Sequence, residues 1–219
     1  MTIPKGKKLL ILGCLLVAAD QAIKILVKTN MALGDHFNVF GDWFQILFIE
    51  NEGMAFGMKF GGAAGKLFLS LFRIGLCAAL CWWITRLVRK GTSVYGPGNG
   101  SGSDGRPPVP TGVLVGLTLI TAGAFGNIID CLFYGMCFSA SVPGVVASFG
   151  GSYAPFLFGR VVDMFYYPLW RWPEWLPLVG GDIFFEPVFN FADSCVTVGA
   201  CYLLLFQYKF FAAEDKKKD

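Results

Sequence analysis

The chain has 219 residues, of which 55% are hydrophobic and only 15% are charged. An ordinary soluble domain carries about 25% charged residues, so this composition indicates an integral membrane protein. The net charge of +3 is too small to indicate a nucleic-acid-binding protein. Seven cysteines without a C-x-x-C pair and a single histidine give no signature of a zinc or redox site.

Four apolar segments are long enough to span a bilayer, which takes about 20 mostly apolar residues. They are residues 9–27, 67–88, 113–132 and 189–211. Basic residues flank the first, second and fourth segments: Lys5, Lys7, Lys8, Arg86, Arg89, Lys90, Lys209 and Lys216 to Lys218. The positive-inside rule then predicts that both termini and the link at residues 91–110 are cytoplasmic. This link is rich in glycine, serine and proline, which predicts a flexible connector.

Two longer pieces lie on the predicted outer side of the membrane. Residues 36–62 alternate apolar and polar side chains between glycines, which is typical of short strands with tight turns. Residues 131–187 include the stretch YYPLWRWPEWLP, whose aromatic side chains suit the lipid headgroup layer. We therefore predict an α-helical polytopic membrane protein with four transmembrane helices and a small outer β-sheet, forming one membrane domain over residues 1–219.

Four aspartates map to one depth near the predicted outer face: Asp20, Asp130, Asp163 and Asp193. A carboxylate in hydrocarbon costs several kcal/mol, so acids at such positions usually serve a function. Asp20 and Lys24 are four residues apart in the first span, the spacing of a stabilising ion pair on one helix face.

The other acids of this layer are accompanied by asparagines. Asn127 precedes Asp130 by three residues, and Asn190 precedes Asp193 by three residues, so each pair shares a helix face. The small residues before Asp130, which allow another helix to approach closely, are Gly123, Ala124 and Gly126.

The residues alone leave more than one function open. Two carboxylates close together cannot both ionise freely, so one keeps a proton while the other acts as a base. Such a pair suits an aspartic protease, but the same acids suit an ion- or substrate-coupled transporter equally well. A thiol oxidoreductase using Cys131 and Cys137, which could also form a disulfide, is disfavoured because no C-x-x-C motif is present.

Five motifs in this order resemble those of the lipoprotein signal peptidases (signal peptidase II, also called prolipoprotein signal peptidase, peptidase family A8). Together they cover most of the predicted membrane portion. They are DQAIK at 20–24, NEGMAFG at 51–57, GNIID at 126–130, GRVVDMF at 159–165 and FNFAD at 189–193.

The resemblance implies an intramembrane aspartic endopeptidase of the bacterial inner membrane. It would cut diacylglyceryl-prolipoproteins just before the lipidated cysteine, as a monomer among membrane lipids, with no metal, cofactor or nucleic acid. Its motifs place the catalytic pair at Asp163 and Asp193. Asp20 and Lys24 would be structural, tying the first span to the outer surface. The family's outer cradle and interfacial clamping helix would correspond to the outer sheet and the aromatic stretch.

The same resemblance implies five further functional positions. The support of the catalytic pair by hydrogen bonds would come from Asn127, Asp130 and Asn190. The binding of the substrate backbone would come from Asn51 and Gly53.

Two departures from the family pattern stand out. The family commonly has arginine after the aspartate of the GNxxD motif, whereas this chain has Cys131, and Arg160 is a candidate to replace that arginine. Residues 131–159 also form a longer link than expected. This insertion is apolar enough to lie on the membrane or to cover the site.

Overall fold

A computed structural model describes residues 5–51, 62–92 and 109–215. In chain order its elements are α1 (Lys5–Asn30), β1 (His36–Phe40), β2 (Phe44–Asn51), α2 (Gly62–Thr92), α3 (Thr111–Ile129), a π-helical turn (Asp130–Tyr134), α4 (Gly135–Cys137), β3 (Val161–Tyr166), β4 (Trp170–Arg171), β5 (Ile183–Phe184), α5 (Phe191–Phe206) and α6 (Tyr208–Asp215).

The chain divides into two compact units. The first comprises Met1–Ala18, Arg73–Phe125 and Ala192–Asp219, and the second comprises Ala19–Phe72 and Gly126–Phe191. Nothing in this division tests the expected single membrane domain over residues 1–219, which stays a prediction.

Within the described residues, three helical segments are long and apolar enough to cross a membrane. They are Lys5–Asn30, Gly62–Arg89 and Thr111–Cys137, and they contain the first three predicted spans. The fourth predicted span, 189–211, corresponds to α5, which is apolar but has only 16 residues, and to part of α6. The structure therefore supports a multi-pass membrane protein, while the count of four spans stays a prediction.

The first unit is held by apolar packing and by close contact between helices. Its buried core consists of Leu9, Leu87, Val113, Leu114, Leu117 and Leu203. A Cβ added to Gly199 would lie 2.8 Å from the carbonyl oxygen of Gly116, and one added to Gly123 would overlap the carbonyl oxygen of Ala192. The predicted close approach of a helix at Gly123 is thus present, and α5 is the helix that approaches.

The second unit contains a three-stranded antiparallel sheet in the order β1-β2-β3. The strands predicted within residues 36–62 are present as β1 and β2, and the third strand comes from much later in the chain. Ile49 faces Asp163, Glu50 faces Val162, and Asn51 faces Val161. The buried core of this unit consists of Val27, Phe48, Tyr134, Phe138, Val162 and Met164.

The aromatic stretch after β3 does not form the expected interfacial helix. Instead β4 pairs with β5, and the rings of Trp170 and Phe184 stack with centroids 4.0 Å apart. Prolines at positions 168, 173 and 177 explain the difference, because proline lacks the amide hydrogen that a helix interior needs.

Candidate active site

Asp163 lies in the middle of β3 and is 3% exposed. The backbone of β3 bonds to Phe189 through Phe165, which brings the next residue, Asn190, beside the aspartate. Asn190 is fully buried, and its Nδ2 donates a hydrogen bond of 2.6 Å to Oδ1 of Asp163. A buried carboxylate in this chain therefore has a fixed amide donor.

A chain of polar contacts continues from Asn190 within the second unit. Nδ2 of Asn190 also donates to Oδ1 of Asn127 at 3.1 Å, and Nζ of Lys24 donates to the same oxygen at 2.8 Å. Asp163 is thus connected through two asparagines to a buried ammonium group.

That ammonium group is paired with two buried carboxylates. Nζ of Lys24 lies 3.0 Å from Oδ2 of Asp20 and 2.7 Å from Oδ2 of Asp130, and all three side chains are at most 2% exposed. With Asn127 as third acceptor, the three hydrogens of the ammonium have three partners. The ion pair expected from the spacing of Asp20 and Lys24 is therefore present. Lys24 also pairs with Asp130, the residue that follows α3.

Asp130 joins the end of α3 to the strand that carries Asp163. It begins the π-helical turn, and its Oδ2 accepts a hydrogen bond of 3.3 Å from the backbone N–H of Val162. The N–H of Gly159 donates to the carbonyl oxygen of Cys131 at 2.9 Å, and a Cβ at Gly159 would overlap the carbonyl oxygen of Asp130. Side-chain and backbone contacts thus fix where β3 begins.

Of the remaining residues expected at the site, the two that the structure describes, Asp193 and Asn51, lie at ends of elements. Asp193 belongs to the first unit and is half-buried in the first turn of α5, where the helix dipole favours a carboxylate. Asn51 is the last residue of β2. Gly53 lies outside the described residues.

Two polar partners were missed by the sequence interpretation. Nε2 of Gln21 donates to Oδ1 of Asp130 at 2.9 Å and to Oδ2 of Asp20 at 3.1 Å. The hydroxyl of Tyr134 donates to Oε1 of Gln21 at 3.1 Å. The position of Gln21 inside the first motif was the only signal that could have found it.

The first departure from the family pattern, Cys131 in place of arginine, has a structural outcome. Cys131 is buried, and neither Cys131 nor Cys137 is joined in a disulfide. Nη1 of Arg160 lies 3.4 Å from Oε2 of Glu50, and its guanidinium lies 5.6 Å from the ring centroid of Tyr153. Arg160 therefore belongs to a cluster around Glu50.

Comparison with protein families matches residues 12–101 and 103–209 to the family described as signal peptidase (SPase) II. The chain belongs to the signal peptidase II family. A lipoprotein signal peptidase of Porphyromonas gingivalis is 46% identical over 209 residues, which cover 93% of this chain and 84% of the relative. A lipoprotein signal peptidase of Amoebophilus asiaticus is 31% identical, with 89% and 75% covered.

Solved structures support the same fold. A bacterial membrane enzyme determined by the in meso method at 1.9 Å resolution matches with a TM-score of 0.56 and 23% identity, covering 91% of each chain. A second, at 2.3 Å resolution, matches with a TM-score of 0.55 and 21% identity, covering 93% of this chain and 88% of the other. At these identities the likeness concerns the fold alone.

Membership in the signal peptidase II family gives the broad activity. The chain is a multi-pass membrane protease of the class that removes signal peptides from lipoproteins. The acids alone suit a protease and an ion-coupled transporter equally well. Membership in the family favours the peptidase.

Proposed function

We propose that the chain is an aspartic endopeptidase that cleaves diacylglyceryl-prolipoproteins immediately before the lipidated cysteine. The observation that carries the proposal is the buried Asp163, held by Asn190 in a chain of the signal peptidase II family. Burial and a fixed partner at a carboxylate are features of functional sites, since both tune its proton affinity.

The proposed catalytic pair is Asp163 and Asp193. One carboxylate accepts a proton from water as the water oxygen bonds to the scissile carbonyl carbon, while the other carboxyl donates its proton to the carbonyl oxygen. The first then protonates the leaving nitrogen as the carbon–nitrogen bond breaks, and the second recovers a proton from the diol. The products are a signal peptide with a new carboxyl terminus and a lipoprotein with a free amino group on its lipidated cysteine.

Neighbouring residues have supporting roles in this proposal. Asn190 contacts Asp163 directly, while Asn127 and Asp130 hold Asn190 and the start of β3. Asn51 and Gly53 bind the substrate backbone, as the motif match implies. No metal ion or cofactor takes part.

The membrane arrangement follows from the charges at the helix ends. We propose four spans in the bacterial inner membrane, with both termini cytoplasmic and the sheet on the outer side. The acids then lie near the outer face, where water and a lipid-anchored substrate can both reach them. The enzyme acts as a monomer surrounded by membrane lipids.

The test is cleavage of a lipidated preprotein by purified variants in detergent micelles. Asp163→Asn and Asp193→Asn should each lower kcat by roughly three orders of magnitude or more, because each removes one member of a concerted pair. Asp182→Asn, at an exposed aspartate before β5, is the matched control and should be unaffected. Full activity in either catalytic variant would reject the assignment.

The cleavage site and the lipid requirement need a second measurement. Mass spectrometry of the product should show a new amino terminus at the lipidated cysteine. A preprotein whose cysteine is replaced by serine, and which therefore carries no lipid, should not be cut. The transporter would be favoured instead by two results together. The wild-type protein would show no proteolysis, and it would carry an ion flux in proteoliposomes that Asp130→Asn abolishes.

A further inference from the structure

A second buried charged cluster lies one helical turn beyond Lys24, at the end of α1. Lys28 and Glu50 form an ion pair, and their side chains are 0% and 2% exposed. The hydroxyl of Ser141 accepts a hydrogen bond of 2.8 Å from Nζ of Lys28 and donates one of 2.8 Å to Oε1 of Glu50. Arg160 approaches the other oxygen of Glu50 from the surface, with its own side chain 37% exposed. None of these four residues belongs to the proposed catalytic or substrate-binding set.

The insertion at residues 131–159 supplies one wall of this cluster. Besides Ser141, it places the ring of Phe138 5.5 Å from Nζ of Lys28 and the ring of Tyr153 5.1 Å from it. An ammonium group near aromatic rings is attracted by their negative faces. Burial raises the pKa of the Tyr153 hydroxyl, which therefore stays neutral and accepts a hydrogen bond of 2.8 Å from the backbone N–H of Arg160.

The cluster is attached to the sheet next to the residues of the proposed site. Glu50 faces Val162, and the neighbouring pairs are Ile49 with Asp163 and Asn51 with Val161. The register of β2 and β3 shifts between Ile46 and Ile49, so the regular ladder does not extend through the whole pair. A slip of one residue turns every side chain of a strand to the opposite face. Such a slip would break the buried contacts of Glu50. These contacts therefore favour the observed register of β2 and β3 beside Asp163.

We propose that the Lys28–Glu50–Ser141 cluster is a brace, through which the insertion holds β2 in register with β3 and so positions Asn51 and Asp163 for cleavage. The proposal rests on the proposed function for the roles of those two residues. Lys28, Glu50 and Ser141 act as positioning residues, since they contact the strands rather than the reacting atoms. This assigns a purpose to residues 131–159, which the family motifs do not explain.

The first test compares cleavage kinetics per folded enzyme. Glu50→Gln and Lys28→Met should each lower kcat/KM at least tenfold, mainly through kcat, because each leaves a buried charge without its partner. Ser141→Ala keeps both charges, so the protein is expected to fold, and should lower kcat/KM severalfold. Lys28→Arg, which keeps the charge, should lose less kcat/KM than Lys28→Met.

The matched controls are two exposed residues near the cluster. Ser148→Ala changes a serine of the same insertion, and Asp42→Asn changes an acid next to β2; both should leave kcat/KM unchanged.

The double variant Lys28→Met with Glu50→Gln shows whether the pair acts as a unit. Its loss should be smaller than the product of the two single losses, since either change alone already disrupts the pair. Losses that multiply would mean that the two residues act independently, and would overturn the brace.

Hydrogen exchange gives a readout that does not depend on catalysis. In Glu50→Gln and Ser141→Ala, the amides of residues 44–51 and 161–166 should exchange faster at a temperature where the protein is folded, while those of α2 should not change. Variants that lower only Tm, with unchanged strand exchange and unchanged kcat per folded enzyme, would overturn the brace. Full activity of Asp163→Asn would reject the catalytic assignment. If Glu50→Gln then still showed faster exchange in the strands, the role of the Lys28–Glu50–Ser141 cluster in holding the register would stand.

Discussion

Nδ2 of Asn190 lies 2.6 Å from Oδ1 of Asp163 and 3.1 Å from Oδ1 of Asn127. The two hydrogens of one amide thus match two acceptors that come from different elements. Asn190 is fully buried, so water does not easily substitute for either contact. The orientation of the Asp163 carboxyl is therefore set by the residue that precedes α5.

Asn190→Ala should lower kcat by roughly ten- to hundredfold, because a hydrogen bond to a charged group contributes about 1.5–3 kcal/mol. KM should change less, since the amide contacts the carboxylate rather than the proposed substrate-binding residues. Initial rates at saturating lipidated preprotein would measure both. Asn38→Ala, at an exposed asparagine of β1, is the control. An unchanged kcat in the Asn190 variant would contradict the proposed support of Asp163.

Lys24→Met should lower the free energy of unfolding by about 3–5 kcal/mol, because it leaves the buried Asp20 and Asp130 without their cation. Unfolding in detergent micelles, followed by circular dichroism, would measure the loss. Lys7→Met changes an exposed lysine of the same helix and should stay within about 0.5 kcal/mol of the wild type. Equal stability of the two variants would show that the Lys24 cluster contributes little.

Local spacing explains which features could be predicted from the sequence. The contact between Asp20 and Lys24 needs only a helix, because residues four apart share a face. The three long apolar helices follow from hydropathy, and the strands β1 and β2 follow from alternation, because both are local patterns. The acids could be identified as functional candidates because charge is rare in such an apolar chain.

Long-range pairing explains what could not be predicted. Alternation identifies a strand but not its partner, so the pairing of β2 with β3 was not visible. The contact of Lys28 with Glu50 depends on that sheet, and so does the placement of Ser141 from the insertion. The helix expected in the aromatic stretch was wrong, because the three prolines of that stretch oppose a helix that the family resemblance implied.

The double variant Cys131→Ala with Cys137→Ala should keep cleavage within about twofold of the wild type, since no disulfide joins the two cysteines and neither takes part in the proposed reaction. Stability should fall by about 1 kcal/mol, the usual effect of a small change at a buried position such as Cys131. The exposed Cys14→Ala serves as the control. Complete loss of activity in the folded double variant would support thiol chemistry instead of the carboxylate mechanism.

Gly159→Ala should destabilise the fold by about 1–3 kcal/mol, because the new methyl group would overlap the carbonyl oxygen of Asp130. Relief requires the start of β3 to move away from the end of α3, which weakens the bond from the N–H of Val162 to Asp130. Since Asp163 is the next residue, kcat per folded enzyme should fall as well.

The control for this glycine lies in α2. A Cβ at Gly75 would meet nothing within 4 Å, and alanine is the better helix former by about 1 kcal/mol. Gly75→Ala should therefore leave kcat unchanged and keep or raise Tm. If Gly159→Ala behaved in the same way, the close contact between β3 and the end of α3 would not be what places Asp163.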